Sequence, residues 1–166
     1  MSISENGTGP APEIPGAITT VHRYELPLPR EEVWSLISQV SEYRTWWPWL
    51  RAFDGAALAA HEEWRCEVQP PVPYVVRFRV VIEDVEPAVL VRAKVCGDVV
   101  GVATLTLSDT DAGCTATLDS SLAPGNRALR LVSRFAEPIA RFGHDWVLDS
   151  GARQFITRAV EPLVGD

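Results

Sequence analysis

The spacing of apolar positions changes period twice along this chain. From Ala17, "AITTVHRYEL" has the composition of a strand, with Ile18, Val21 and Tyr24 among its β-formers. The period then lengthens in "PREEVWSLISQV", where Val33, Leu36, Ile37 and Val40 fall at i, i+3, i+4 and i+7, one face of a helix. Pro29 suits the first helical position, and Glu31 and Glu32 suit the positive end of the helix dipole. Ser41 is placed to cap a second short helix containing Tyr43, which must end before Pro48.

After Asp54-Gly55 the period falls to two. "EWRCEVQ" sets Trp64, Cys66 and Val68 against Arg65, Glu67 and Gln69. "YVVRFRVVIED" sets Tyr74, Val76, Phe78, Val80 and Ile82 against Arg77, Arg79 and Glu83. "VLVRAKV" and "CTATLDS" alternate in the same way, with Val91, Ala93, Val95, Cys114, Ala116 and Leu118 on the apolar side. Turn signals separate these runs at "PPVP", Glu86-Pro87, Gly97-Asp98 and "DTDAG". The pattern predicts an antiparallel meander, apolar on one face and wet on the other. Helical spacing then returns. "NRALRLVSRFAE" is expected to stop at Pro138, and "FGHDWVLDSGARQFITRAV" to form a longer helix. On that helix His144, Leu148, Ala152, Phe155 and Ala159 make a continuous stripe, flanked by a charged one of Asp145, Asp149 and Arg153.

Composition narrows the classes. Residues 1–17 offer little to bury and read as a disordered tail, leaving 18–166 as one domain. With 46% hydrophobic residues the chain has material for one sizeable core, and no staple is needed at this length. The net charge of −7 argues against a nucleic-acid partner, which would want clustered positive charge. Cys66, Cys96 and Cys114 show no metal-ligand spacing and read as buried reduced thiols, so neither a metal nor a cofactor is implied. The N-terminus has no signal-peptide pattern, and no apolar run approaches the ~18 residues that span a bilayer. The simplest location is the cytoplasm.

Chemistry has to come from what the alternation points inward. Three tryptophans occupy four positions in "EYRTWWPWLR", where helical structure stops, and rings of this size either plug a core or roof a cavity. Trp64, Cys66, Tyr74 and Phe78 share the inward face, with Tyr74 and Ser120 as hydrogen-bonding fixtures and no group there that ionises near neutral pH. Arg65, Arg77, Arg79 and Arg92 land on the opposite face, as cross-strand partners for Glu67 and Glu83. His144 is the candidate acid/base, against the plainer reading of a histidine satisfied by a backbone carbonyl. His22 sits on the first strand with no partner in view, and His61 lacks the second histidine of a metal motif. Arg127, Arg130 and Arg134 share a helix face opposite Leu129, Val132 and Phe135, the basis for a membrane-docking alternative that the acidic total weakens.

The order strand, two short helices, antiparallel strands, long helix is α+β. In "PREEVWSLISQVSEYRTWWPWLR", "WRCEVQPPVPYVVRFRVVIEDVEP", "GDVVGVATLTL" and "GHDWVLDSGARQF" the chain resembles the START-like, or SRPBCC, superfamily. Within it, the bacterial polyketide cyclase/dehydrase-like branch is the most similar. The resemblance implies a helix-grip fold, a curved antiparallel sheet wrapped around a long C-terminal helix, with a deep cavity for a small hydrophobic, lipid- or polyketide-like molecule. It also implies that Trp46, Trp47 and Trp49 lie at or near the mouth; Tyr43, Leu148 and His144, the last two on the helix stripe that should meet the sheet, complete the expected ligand-binding set. Carriage of such a ligand is the leading expectation. Aromatase/cyclase or dehydratase activity is the alternative, and it would want Arg65, Arg77 or Arg79 inside the cavity. The tail yields the first test. Deleting residues 1–16 should leave the melting temperature almost unchanged, because the segment has too few apolar groups to offset its ordering entropy. A large drop in a thermal melt would show that the tail packs on the domain.

Overall fold

The computed structural model describes residues 16–71 and 74–165, with backbone alone for 128, 129 and 132–143. The tail reading at 1–15 and most of the arginine-faced helix reading (Leu129, Val132, Arg134, Phe135) fall outside the described residues and side chains.

Seven strands form one antiparallel sheet in the order β1-β7-β6-β5-β4-β3-β2. They are β1 (Ile18–Leu26), β2 (Leu50–Asp54), β3 (Glu63–Val68), β4 (Val76–Glu86), β5 (Leu90–Gly97), β6 (Val99–Thr110) and β7 (Gly113–Pro124). The hairpins run in sequence from β2 to β7, and β1 then closes against β7, from Ile18 opposite Leu122 to Leu26 opposite Cys114. A two-residue turn joins β6 to β7, with Thr110 opposite Gly113. Gly113 has a φ of +154°, and a Cβ there would collide with the Leu26 carbonyl, so the turn requires glycine.

The helices cover one face. α1 (Arg30–Ile37) begins one residue later than the sequence suggests, with Pro29 at the N-cap, and it buries Val33 and Leu36. A 3-10 turn (Val40–Glu42) leads into the four-residue α2 (Tyr43–Trp46). Ser41 lies inside that turn and is not a cap, because no side chain caps either element. α3 (Arg127–Phe155) runs unbroken for 29 residues and contacts β1, β7 and α2. The expected break at Pro138 does not occur. Losing one backbone bond is a local cost that a helix this long, packed on a sheet, can absorb. A π-helical segment (Ile156–Val160) and α4 (Glu161–Val164) complete the chain.

The strand β2 was not expected. Its register shifts between Leu50 and Ala52, which destroys the two-residue period over a five-residue strand. A second shift lies in β4 between Ile82 and Asp84. It falls after the arginines of that strand, so Arg77 and Arg79 stay on the wet face. The main core gathers Leu26, Val33, Leu36, Val40, Leu107 and Val160 with the aromatic residues of the α2 region. A smaller cluster of Ile82, Val91 and Ala93 lies further along the sheet. Ile82 is 1% exposed there. Ile82→Ala should therefore cost roughly 2–5 kcal/mol, read as a lowered midpoint in urea unfolding.

Candidate functional site

Pro48 stops α2, and the segment that follows it is pinned from two sides. Backbone bonds hold it locally: Trp47 N–H donates to the Tyr43 carbonyl at 2.8 Å, and Gln69 N–H donates to the Trp49 carbonyl at 2.9 Å. Side chains hold it to α3. Trp47 Nε1 donates to the Gly151 carbonyl at 2.8 Å, and Trp49 Nε1 to Gln154 Oε1 at 2.9 Å. Arg158, from the π-helical segment, donates to the Trp46 carbonyl at 2.7 Å. The rings pack with their neighbours: Trp47 against Trp49 at 6.0 Å, Trp46 edge-on to Phe155 at 5.3 Å, and Trp49 edge-on to Trp146 at 6.4 Å.

Beneath Trp47 and Trp49 lies a cavity of about 290 Å³, bounded by β1, β6, β7, α1 and α3. Small residues create it. Ala116 on β7 faces Gly151 and Ala152 on α3, so sheet and helix cannot fill the space between them. Val33, Ile37, Leu105, Leu118, Leu148 and Phe155 complete an apolar lining. Tyr24, Trp47 and Trp49 are the lining residues whose side chains carry a polar atom. Both indole N–H groups are already engaged with α3. The Tyr24 hydroxyl is shut off from water and has no hydrogen-bond partner among the described residues. Burial first, then Asp149 and Asp145, push its pKa up to about 12, so the phenol stays protonated.

The residues picked from sequence divide between this cavity and its surroundings. Trp47, Trp49 and Leu148 line it. Tyr43 and Trp46 are buried in the core instead, with Tyr43 at the centre of a ring cluster that includes Phe53 at 5.2 Å and Trp64 at 5.7 Å. Trp64 donates to the Ala57 carbonyl at 2.9 Å and packs against that core, whereas Cys66 and Phe78, also partly buried against it, line a second hollow of about 450 Å³ on the β2–β5 side of the sheet. Burial pushes the Cys66 thiol up to about 12, which keeps it protonated and unreactive. Tyr74 is half-buried and is not among the lining residues.

A polar seam runs beside the cavity along the inner face of β1. His144 Nε2 lies 3.2 Å from Thr20 Oγ1, which lies 3.0 Å from the buried Ser120 hydroxyl. The expected fixture Ser120 is thus bonded within the seam, and the partner of His144 there is a hydroxyl. His22 does have partners: its two ring nitrogens lie 3.9 Å from Asp145 and 3.8 Å from Asp149. Asp145, one turn from Asp149 on α3, therefore reaches His22. His22 also stacks on Tyr24 at 6.2 Å. Neither His22 nor Tyr24 stood out in the sequence, although both sit at inward positions of β1.

The strand arginines stay out of this cavity, and Arg65, Arg77 and Arg79 border the second hollow with Cys66 and Phe78. Arg65, Arg77, Arg79 and Arg92 are more than half exposed and pair with Glu63, Glu67, Glu63 and Asp84 respectively. Glu83 pairs with Lys94 at 2.7 Å. Among the described residues no helix is long and apolar enough to cross a membrane, and no cluster of His, Cys, Asp or Glu could hold a metal ion.

No family model and no curated protein matches the sequence. Solved structures do match. An uncharacterized protein from Rhizobium leguminosarum is 14% identical with a TM-score of 0.63, over 86% of this chain and 96% of that one. The Zhui aromatase/cyclase from Streptomyces sp. R1128 is 13% identical with a TM-score of 0.64, over 86% and 97%. One half of the di-domain aromatase/cyclase BexL matches as well, at 11% identity and a TM-score of 0.66, over 83% of this chain and 48% of that one. The chain has the helix-grip fold. In this helix-grip domain α3 is the gripped helix, and the Trp47–Trp49 segment ties it to the sheet side.

An unpartnered buried hydroxyl makes a test of the site's electrostatics. Tyr24→Phe should leave stability at pH 7 unchanged or slightly raised, since it removes a desolvated group that bonds to nothing. Because the folded state holds the phenolic proton more tightly than the unfolded chain, stability is full below about pH 10 and lost as the pH rises toward about 12. The variant should show a shallower alkaline loss, measured by urea unfolding at pH 7 and above pH 10.

Proposed function

We propose that this protein binds or carries one small, uncharged, mostly apolar molecule in the cavity beneath Trp47 and Trp49. The observation that carries the reading is the lining itself: apolar side chains, two indoles whose donors are engaged, and one phenol. A cavity of about 290 Å³ sits at the small end of the ~300–1,000 Å³ range of ligand pockets. It is nearly twice the roughly 150 Å³ void that accommodates benzene, which suits a two-ring skeleton better than a long chain. Trp47, Trp49 and Leu148 are its ligand-facing residues.

The fold neighbours named as aromatase/cyclases favour a second reading, in which the cavity folds or dehydrates a polyketide-like substrate. Such chemistry needs polar groups that grip several carbonyls. Here Arg65, Arg77 and Arg79 are paired outside, and His144 lies in the seam with Thr20. The carrier reading is therefore the stronger, and the cytoplasm fits it as a location.

Titration with the uncharged fluorophore N-phenyl-1-naphthylamine separates the two. Saturable binding with quenching of tryptophan emission is expected. Ala152→Phe, which fills the cavity from α3, should weaken it about tenfold or more. His144→Ala should change affinity only modestly. Absence of binding would overturn the proposal. So would conversion of an aromatic poly-keto substrate that falls about a hundredfold in His144→Ala while binding survives.

A further inference from the structure

β1 is one edge of the sheet, and nothing within it blunts that edge. A sheet edge exposes a row of unpaired backbone groups that templates pairing with another chain, and proteins defend it with short strands, bulges, prolines or lysines. The other edge is defended in this way: β2 has five residues and a register shift. β1 runs for nine residues in unbroken register with β7, and its sequence contains no proline, glycine or lysine. In an antiparallel ladder alternate residues turn their N–H and C=O groups away from the neighbouring strand. Among the described residues, no backbone–backbone bond outside the β7 ladder reaches 18–26. α3 meets β1 on its inner face, through Thr20 and His22.

We infer that this edge pairs with a second copy of the chain, β1 against β1, in an antiparallel register centred on Tyr24. The exposed row along β1 reads Val21, Arg23, Glu25, Pro27. Val21 is 54% exposed. Glu25 accepts from the Thr115 hydroxyl at 2.9 Å, and neither it nor Arg23 makes an ion pair among the described residues. Laid antiparallel on itself about Tyr24, the row sets Val21 against Pro27 and Arg23 against Glu25. The two-fold axis repeats both contacts, as an isologous interface requires. Neighbouring registers lose the match. Centring on His22 sets Arg23 against Val21 and Glu25 against Thr19, and centring on Arg23 opposes two guanidinium groups. Opposite charges facing each other across a strand pair stabilise it, and like charges destabilise it. A foreign strand has no reason to carry this row in reverse, whereas a second copy carries it by symmetry. The pairing joins residues 22–26 of each chain, and Pro27, with no N–H to offer, ends it. An interface this small makes a reversible dimer, micromolar or weaker.

Sedimentation velocity on the full chain, in a concentration series up to about 1 mM, tests this. A monomer–dimer equilibrium is expected. Arg23→Glu and Glu25→Arg each place like charges across both symmetry-related pairs, and each should weaken the dimer about tenfold or more. The double variant R23E/E25R restores opposite charges, and its dissociation constant should return to within about threefold of the wild type. Both positions are exposed, so the urea midpoints should stay unchanged. Hydrogen exchange on the wild type locates the interface without any substitution: amides within 22–26 should gain protection as the concentration rises. A chain that stays monomeric throughout leaves the edge to its own residues 1–15 or to another protein, and overturns the inference. A dimer indifferent to the single substitutions overturns it as well. So does a double variant as weak as the singles, or a dimer in which no amide within 22–26 gains protection.

Discussion

The loop carrying Trp47 and Trp49 is bonded to α3 through its indole nitrogens, and the cavity exists because of that attachment. A curved sheet with one apolar face must be covered, and α3 is the element long enough to cover it. Small residues at Ala116, Gly151 and Ala152 leave the space between helix and sheet unfilled. Left alone, such a gap would favour collapse, because its lining forgoes dispersion contacts. The bonds from Trp47 to Gly151 and from Trp49 to Gln154, with Arg158 holding the Trp46 carbonyl, set the height of the helix above the sheet. The tryptophans thus both plug and roof: Trp46 belongs to the core, and Trp47 and Trp49 wall the space.

Charge is sorted around this arrangement with little overlap. The wet face carries ladders of arginine and lysine with glutamate and aspartate, exposed pairs that add little stability and serve to keep that face in water. Among the described residues, a polar cluster on the inner face lies at the edge formed by β1 against α3. There Thr20, His22 and Tyr24 meet Ser120, His144, Asp145 and Asp149, and of these Tyr24 borders the cavity. The cavity lining is mostly hydrocarbon and ring faces, so any affinity it offers would come from buried apolar area.

Much of this was readable before any coordinates. Alternation in β3, the first half of β4 and β5 placed each arginine on its correct face, and the helical spacing of Leu148, Ala152 and Phe155 found the helix stripe that meets the sheet. Failures came where tertiary context outweighs local pattern. One extra residue, Arg51, shifts the register of β2, so a five-residue strand carries no periodic signal. Pro138 is a strong local stop that a long packed helix overrides. Alternation gives a side and not a depth: Tyr43 and Trp46 are buried in the core, Trp64 packs against it, and Cys66 and Phe78 line the second hollow. The pairing of His22 with Asp145 and Asp149 joins opposite ends of the chain, and the isolation of the Tyr24 hydroxyl is a property of everything that fails to reach it. Neither leaves a mark in a single sequence.

Indole N–H resonances report the cavity wall directly, because Trp47 and Trp49 line it while Trp64 donates to Ala57 elsewhere. A ¹H–¹⁵N titration with N-phenyl-1-naphthylamine, with the indoles assigned by single Trp→Phe substitutions, therefore tests the location of binding. Saturable shifts of the Trp47 and Trp49 signals, with that of Trp64 nearly still, are the result this account predicts. Probe binding that leaves both unmoved, or that shifts Trp64 alone, would contradict it.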